Sequence, residues 1–295
     1  MSISFNHSDY LQAAFSKLEQ EFAAVENSLA LFVFGSSVNG DFWEHSDIDL
    51  FFVLSGDSED FLECTMLRHE RFNVHVQYFT RASFLKKIDG LIGRPFHTAL
   101  SSGRFLFCKD PTLEKRVADV CAVPEPDRSL RSLEEYSAAL YHLYHARKNL
   151  HFKRDFDSRF SFCQALNHYC RALVFRNGSL PRRDPVQQAK QMKILNEEKF
   201  LQADLSSETF EFFHQHLCSQ APEFAACLVD LLRQKGEPRT EEQLETDFSR
   251  IALHPDPLMT VLESHGLVRR IEQTFSINNR KIFKELAWQA VFQIE

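Results

Sequence analysis

Residues 31–50 read LFVFGSSVNGDFWEHSDIDL, and a second apolar run, FFVL, follows at 51–54. The first apolar run ends at Gly35-Ser36, and the acids arrive at Asp47-Ile48-Asp49-Leu50. This order predicts a strand, a tight glycine turn, a short excursion and a second strand. Side chains alternate faces along a strand, so Asp47 and Asp49 share one face while Ile48 and Leu50 share the other. Two carboxylates projecting together suit Mg2+, which takes oxygen ligands, keeps several waters and contacts substrate phosphates. The glycine lets the backbone come close to a phosphate, and Ser36 and Ser37 follow it with further donors.

Working outward, Leu11, Phe15, Leu18, Phe22 and Val25 form an apolar stripe at helical spacing, an amphipathic helix before the first strand. After the acids come a predicted helix at 58–70, a strand at 72–80, a helix at 81–89 and a strand at 104–109. Asp110-Pro111-Thr112 opens a last helix to residue 121. The segment AVPEPDR at 122–128 breaks both strand and helix, which puts a domain boundary there: 1–124 and 125–295. Everything beyond reads helical. Ser132-Leu-Glu-Glu135 is a capping box, and Leu133, Tyr136, Leu140, Leu143 and Tyr144 fall on one side of the helix after it. A second helix stops at Asn177-Gly178, Asp184-Pro185 starts a third, and Pro222, Thr240 with Gln243, and Pro257 mark further starts. The expected architecture is α+β: a small mixed sheet with helices, followed by an all-helical bundle of six or seven helices.

The stretch at 34–50 resembles the signature of the nucleotidyltransferase superfamily, which includes DNA polymerase beta and the aminoglycoside and lincosamide nucleotidyltransferases. Phe34, Gly35, Ser36, Asp47, Ile48, Asp49 and Leu50 fall on it position by position, whereas Asp155-Phe-Asp157 repeats only the acid pair and is assigned no chemistry. The two-domain layout and the phrase FLFCKDP at 105–111 resemble the antibiotic-modifying members. The resemblance implies a Mg2+-dependent enzyme that moves a nucleoside monophosphate, AMP from ATP or its equivalent from another NTP, onto a hydroxyl of a small, antibiotic-like acceptor. It implies that Asp47 and Asp49 hold one or two Mg2+ ions and that Gly35, Ser36 and Ser37 hold the triphosphate. The stretch from His168 through Arg182 to Lys190 resembles the family's helix-turn-helix, which nominates Arg171, Arg182 and Lys190 for the triphosphate, with Arg147 and Lys148 on the preceding helix.

The chain departs from the family at one place. Members usually carry a third acid on a neighbouring strand. Here the pattern lays Gln77 on that position, with His75 two residues earlier on the same face. A glutamine oxygen is a neutral ligand and no base, whereas a histidine titrates near neutrality and can take a proton. Glu134 or Glu135 of the second domain is another source of a carboxylate. Two alternatives therefore stay open: a catalytically degenerate nucleotide-binding or regulatory protein, and a nucleotidyltransferase that modifies a protein.

Composition narrows the partners. A hydrophobic content of 44% with 25% charged residues is that of an ordinary globular chain. The net charge of −7 argues against a long nucleic acid and favours a small or cationic acceptor. The 29 phenylalanines predict a Phe-rich core. Seven cysteines without C-x-x-C spacing and no signal peptide point to reduced thiols in a cytoplasmic protein; Cys163 and Cys170, a heptad apart, read as core residues. No apolar run is long enough for a membrane span. The histidines form no zinc motif, and His142 and His145 read as ordinary helix-face residues. Homodimerisation is left open.

Overall fold

The structure is a computed structural model that describes residues 7–39, 42–43, 45–57, 62–90, 93–125, 127–195, 206–277 and 280–291. The chain divides into two compact units, residues 1–124 with 179–183, and residues 125–178 with 184–295.

The first unit is built on a five-stranded sheet. Its strands are β1 (Ser28–Phe34), β2 (Ile48–Leu54), β3 (Leu62–His69), β4 (Phe72–Thr80) and β5 (Arg104–Cys108), in spatial order β3-β4-β2-β1-β5. Only β2 and β4 run parallel. The alternation read from the sequence sorts the two faces. Leu31, Val33, Ile48, Leu50, Phe52, Val74 and Val76 face α1 (His7–Ala23), whose Leu11, Phe15, Leu18 and Phe22 form the predicted stripe; Val25, also read into it, lies beyond the helix end and is exposed. Phe32, Phe51, Val53 and Phe79 face the opposite layer of α3 (Arg81–Ile88), α4 (Pro95–Ser101) and α5 (Pro111–Cys121). Phe51 is the hub there, with ring centroids of Phe34, Phe96 and Phe79 at 4.2, 5.0 and 5.4 Å. Each such buried ring contributes about 1.5–3 kcal/mol of transfer free energy. Side-chain caps set the helix starts: Thr80 accepts from the Ser83 N–H at 3.1 Å, and Asp110 accepts from the Thr112 N–H at 2.9 Å with Pro111 in the first helical turn. A one-turn helix, α2 (Ser36–Asn39), follows Gly35.

One element differs from expectation. Of the predicted helix at 58–70, residues 58–61 lie outside the described residues, and the rest is the edge strand β3. Its register with β4 runs unbroken from Leu62↔Phe79 to His69↔Phe72, closed by a tight turn with Glu70 at φ +54°. Its charged and polar side chains, Glu63, Thr65, Arg68 and His69, suit an edge strand, where they discourage further pairing.

The second unit holds seven helices among its described residues: α6 (Asp127–His151), α7 (Asp155–Arg176), α8 (Pro185–Gln191), α9 (Ser207–Phe224), α10 (Ala226–Lys235), α11 (Glu241–Asp247) and α12 (Pro255–Ser264). α6 and α7 form a long antiparallel pair whose Leu133, Tyr136, Leu143, Phe162 and Tyr169 meet Phe213 and Leu217 of α9 in one core. The stop at Gly178, φ +76°, and the capping box of Thr240 with Gln243 lie where they were read. Other signals did not act as predicted. α6 begins at Asp127, so Ser132 is internal, and its hydroxyl donates to Ala172 O at 3.1 Å. Pro222 sits inside α9, and Cys163 is exposed while Cys170 is buried. The bundle is also not helical to its end. After α12 come β7 (Val268–Ile277) and β8 (Arg280–Ala290), which with β6 (Arg239–Thr240) make a small antiparallel sheet. Val268, Trp288 and Ala290 join this sheet to the helical core. No helix among the described residues is long and apolar enough to cross a membrane.

Candidate active site

The sheet brings the sequence-predicted acids together with the β4 histidine. Asp49 is the second residue of β2, and its register partners are Phe34 on β1 and His75 on β4. His75 in turn faces Met66 of β3. One row of side chains therefore crosses the sheet as Met66, His75, Asp49, Phe34. Gln77 sits in the next row, opposite Phe51, so His75 and not Gln77 stands beside the acid.

His75 Nδ1 lies 3.4 Å from Asp49 Oδ1, and its Nε2 meets Cys64 Sγ at 2.6 Å. With the Nδ1 proton given to Asp49, Nε2 is the basic nitrogen and takes the Cys64 thiol as donor. Cys64 is exposed, on the open edge strand, and nothing in the sequence pointed to it.

Asp47 immediately precedes β2, close enough to repel Asp49. The Asp49 carboxyl is held above the ordinary carboxylate range, mainly by burial; the His75 contact partly offsets this, Asp47 adds to it, and Arg183 opposes it. Gly35 has φ +81°, and a Cβ there would stand 2.8 Å from Asp49 Oδ2. The bare glycine thus leaves the carboxylate room against the turn. A half-buried, mutually repelling carboxylate pair is short of positive charge, and a divalent cation at Asp47 and Asp49 would supply it. No group of three or more His, Cys, Asp or Glu side chains is arranged to cage a metal among the described residues. Two carboxylates fit an ion of the Mg2+ kind, which draws the rest of its shell from water and phosphate.

The glycine turn has a definite internal structure. The buried Ser37 donates its hydroxyl to Phe34 O at 3.3 Å, and the Val38 N–H donates to Gly35 O at 3.2 Å. Ser37 thereby shapes the turn, while Ser36 is half-buried at its rim.

The basic residues nominated for a triphosphate fall differently. Arg183, beside the nominated Arg182, belongs to the 179–183 segment that clusters with the first unit, and its charge acts on Asp49. The adjacent arginines offered no sequence signal to choose between them. Arg171 lies in the helical unit, where its Nε donates to Glu135 Oε1 at 2.7 Å. Lys190 is exposed in the last turn of α8. Glu135 also meets His168 Nδ1 at 2.7 Å, and Glu134 accepts from Arg131 and from the Ala252 N–H at 2.9 Å, so both carboxylates are engaged within the helical unit. His142 stacks on His168 with centroids 5.1 Å apart, and burial first, then neighbouring histidines, push it down to about 4.

Comparison with known proteins agrees with this fold. Residues 16–112 match the family model for polymerase beta nucleotidyltransferase domains. A crystal structure of a nucleotidyltransferase-like protein from Exiguobacterium sibiricum is similar at a TM-score of 0.55 and 16% identity, over 96% of this chain and 100% of that one. No curated protein matches the sequence significantly. The match to the polymerase beta nucleotidyltransferase family thus lies within the first unit, over residues 16–112, and at this identity the solved structure carries the fold alone.

Proposed function

We propose that the protein is a Mg2+-dependent nucleotidyltransferase that transfers a nucleoside monophosphate, AMP from ATP, to a hydroxyl of a small-molecule acceptor. The observation that carries this reading is the placement of Asp49 against the Gly35 turn, with His75 in register beside it and the Asp47 charge acting on it. In this reading Asp47 and Asp49 hold the ion, and the backbone N–H groups after Gly35 cradle the phosphates. Bound Mg2+ supplies neutralisation of the charge that gathers on the α-phosphate and the leaving pyrophosphate. The acceptor oxygen forms a bond to the α-phosphorus. The bond from that phosphorus to the pyrophosphate oxygen breaks, and pyrophosphate leaves with the electron pair. His75 Nε2, held by Asp49 through Nδ1, takes the acceptor proton when the hydroxyl replaces the Cys64 thiol. Arg183 offsets negative charge beside Asp49. The seven unpaired cysteines support a cytoplasmic setting, and the net charge of −7 supports a small acceptor over a long nucleic acid.

The test is pyrophosphate release from Mg·ATP with a panel of small polyols and aminopolyols, in wild type and Asp49→Asn. Acceptor-dependent release that needs both Mg2+ and Asp49 is expected. A second reading, nucleotide binding without turnover, is favoured by one observation: His75, itself bound to Cys64, and not a third carboxylate, stands beside Asp49. Mg2+-dependent binding of ATP with no pyrophosphate released by any acceptor would select it.

A further inference from the structure

A cavity of about 510 Å3 opens within the helical unit, between α6, α9, α11 and α12. It is the size of a small-molecule site. Its floor is apolar, from Leu140, Leu253 and Val261. One wall is aromatic. Tyr141 stacks on His254, centroids 4.5 Å apart and planes 17° from parallel, and Tyr144 stands beside it. Tyr144 continues the apolar stripe of α6 and yet is 57% exposed, so the bundle's own packing does not use it.

The charges around this wall are unbalanced. Glu241, Glu245 and Asp256 all line the cavity, and no basic side chain lies within ion-pair distance of any of them among the described residues. Burial first, and then the neighbouring charges of Glu245 and Asp256, raise the Glu241 carboxyl above its ordinary range, the mark of three carboxylates crowded together without a counter-charge. The basic groups present do not answer them. Arg147 pairs with Glu211 at 3.3 Å, and His214 and His254 are both held below the ordinary histidine range, chiefly by burial, which favours their neutral forms. Three carboxylates beside two tyrosine faces make a surface that attracts a cation with apolar bulk and repels an anion.

We propose that this cavity is a binding site for an organic cation, an aromatic or apolar body carrying an ammonium group. The proposal stands apart from the nucleotidyl-transfer reading, because it involves no residue of the sheet unit.

Titration of the full chain with tryptamine and with indole-3-acetate tests it, since the two probes share a ring and differ in charge. Tryptamine should bind about tenfold or more tightly than indole-3-acetate, a difference of about 1.4 kcal/mol. The double variant Glu241→Gln/Glu245→Gln should erase that preference, and Tyr144→Ala should weaken tryptamine about threefold, the value of one exposed cation–π contact. All three positions are exposed, so the melting temperature should not move; Asp256→Asn serves as a second charge variant if the double one melts early. Equal binding of the two probes, no tryptamine binding up to about 10 mM, or tryptamine affinity unchanged in the folded charge variants would each overturn the proposal.

Discussion

Gly35 and Asp49 show how a single backbone position governs the acid site. At φ +81° an alanine is strained by about 1–2 kcal/mol. Its methyl would also press on Asp49 Oδ2 and drive the carboxylate from its place beside His75. Gly35→Ala should therefore lose activity far beyond its loss of stability, which paired denaturant melts and pyrophosphate-release assays would show. Asp49→Asn should also lose activity but gain stability. Burial and the Asp47 charge hold the Asp49 carboxyl above its ordinary value of 3.8. The folded state then keeps that proton better than the unfolded chain does. Stability contributed by the protonated form is present at low pH and is lost as pH rises from the ordinary value through the raised one. An asparagine cannot ionise. The metal-free variant should be more stable than wild type near neutral pH, with a flatter pH profile, and should release no pyrophosphate; a melting temperature below wild type would contradict this. At this scale the sequence was most legible. Gly35 and the two acids announce themselves by residue type and spacing, and His75 by lying two residues before Gln77, on the same face as the position the third acid usually takes. Cys64 and Arg183 did not, because a lone cysteine on a misread strand and one of two adjacent arginines carry no pattern.

The α6–α7 pair depends on a buried polar contact. Glu135 is 7% exposed and receives Arg171 and His168 from α7. Burial alone would raise its carboxyl, but the His168 hydrogen bond and the Arg171 charge outweigh it and hold the group below its ordinary value of 4.5. The stabilisation is fully present above that ordinary value and is lost as pH falls through the lowered one. Glu135→Gln strands a partly buried guanidinium and should cost about 3 kcal/mol near neutral pH. The deficit against wild type should shrink as pH falls below the ordinary value of 4.5 and through the lowered one, where wild type loses its own contribution. Urea unfolding near neutral pH and in acid measures both, and an unchanged deficit would show that the pair is not the source. Elements were legible where local chemistry and tertiary packing agree, as in the alternation of β1 and β2 and the caps of α3, α5 and α11. They were not legible where packing overrides local preference. Ser132 has the look of a cap, but α6 starts a turn earlier and uses its hydroxyl to tie α7. The charged face of β3 and the mixed sequence of β7 and β8 carry no clean period of two, and only cross-strand pairing makes them strands.

Across the whole chain, two units each carry their own apolar core, one on the sheet faces and one among the helices. A unit with its own core can unfold as its own cooperative step. Scanning calorimetry should then resolve two components, and ligands should separate them. A non-hydrolysable ATP analogue with Mg2+ should raise only one, by about 2.7 kcal/mol at a hundredfold excess over Kd, and Asp49→Asn should remove that shift. Tryptamine should raise the other, and Glu241→Gln/Glu245→Gln should remove that shift. The crossed design keeps the two proposals independent. A nucleotide shift that survives Asp49→Asn would place the nucleotide elsewhere while leaving the cation site untouched, and a tryptamine shift that survives the charge variants would do the opposite. One component moved by both ligands would mean that the two cores melt together, and the unit boundary would then mark where the chain folds but not where its cooperativity ends.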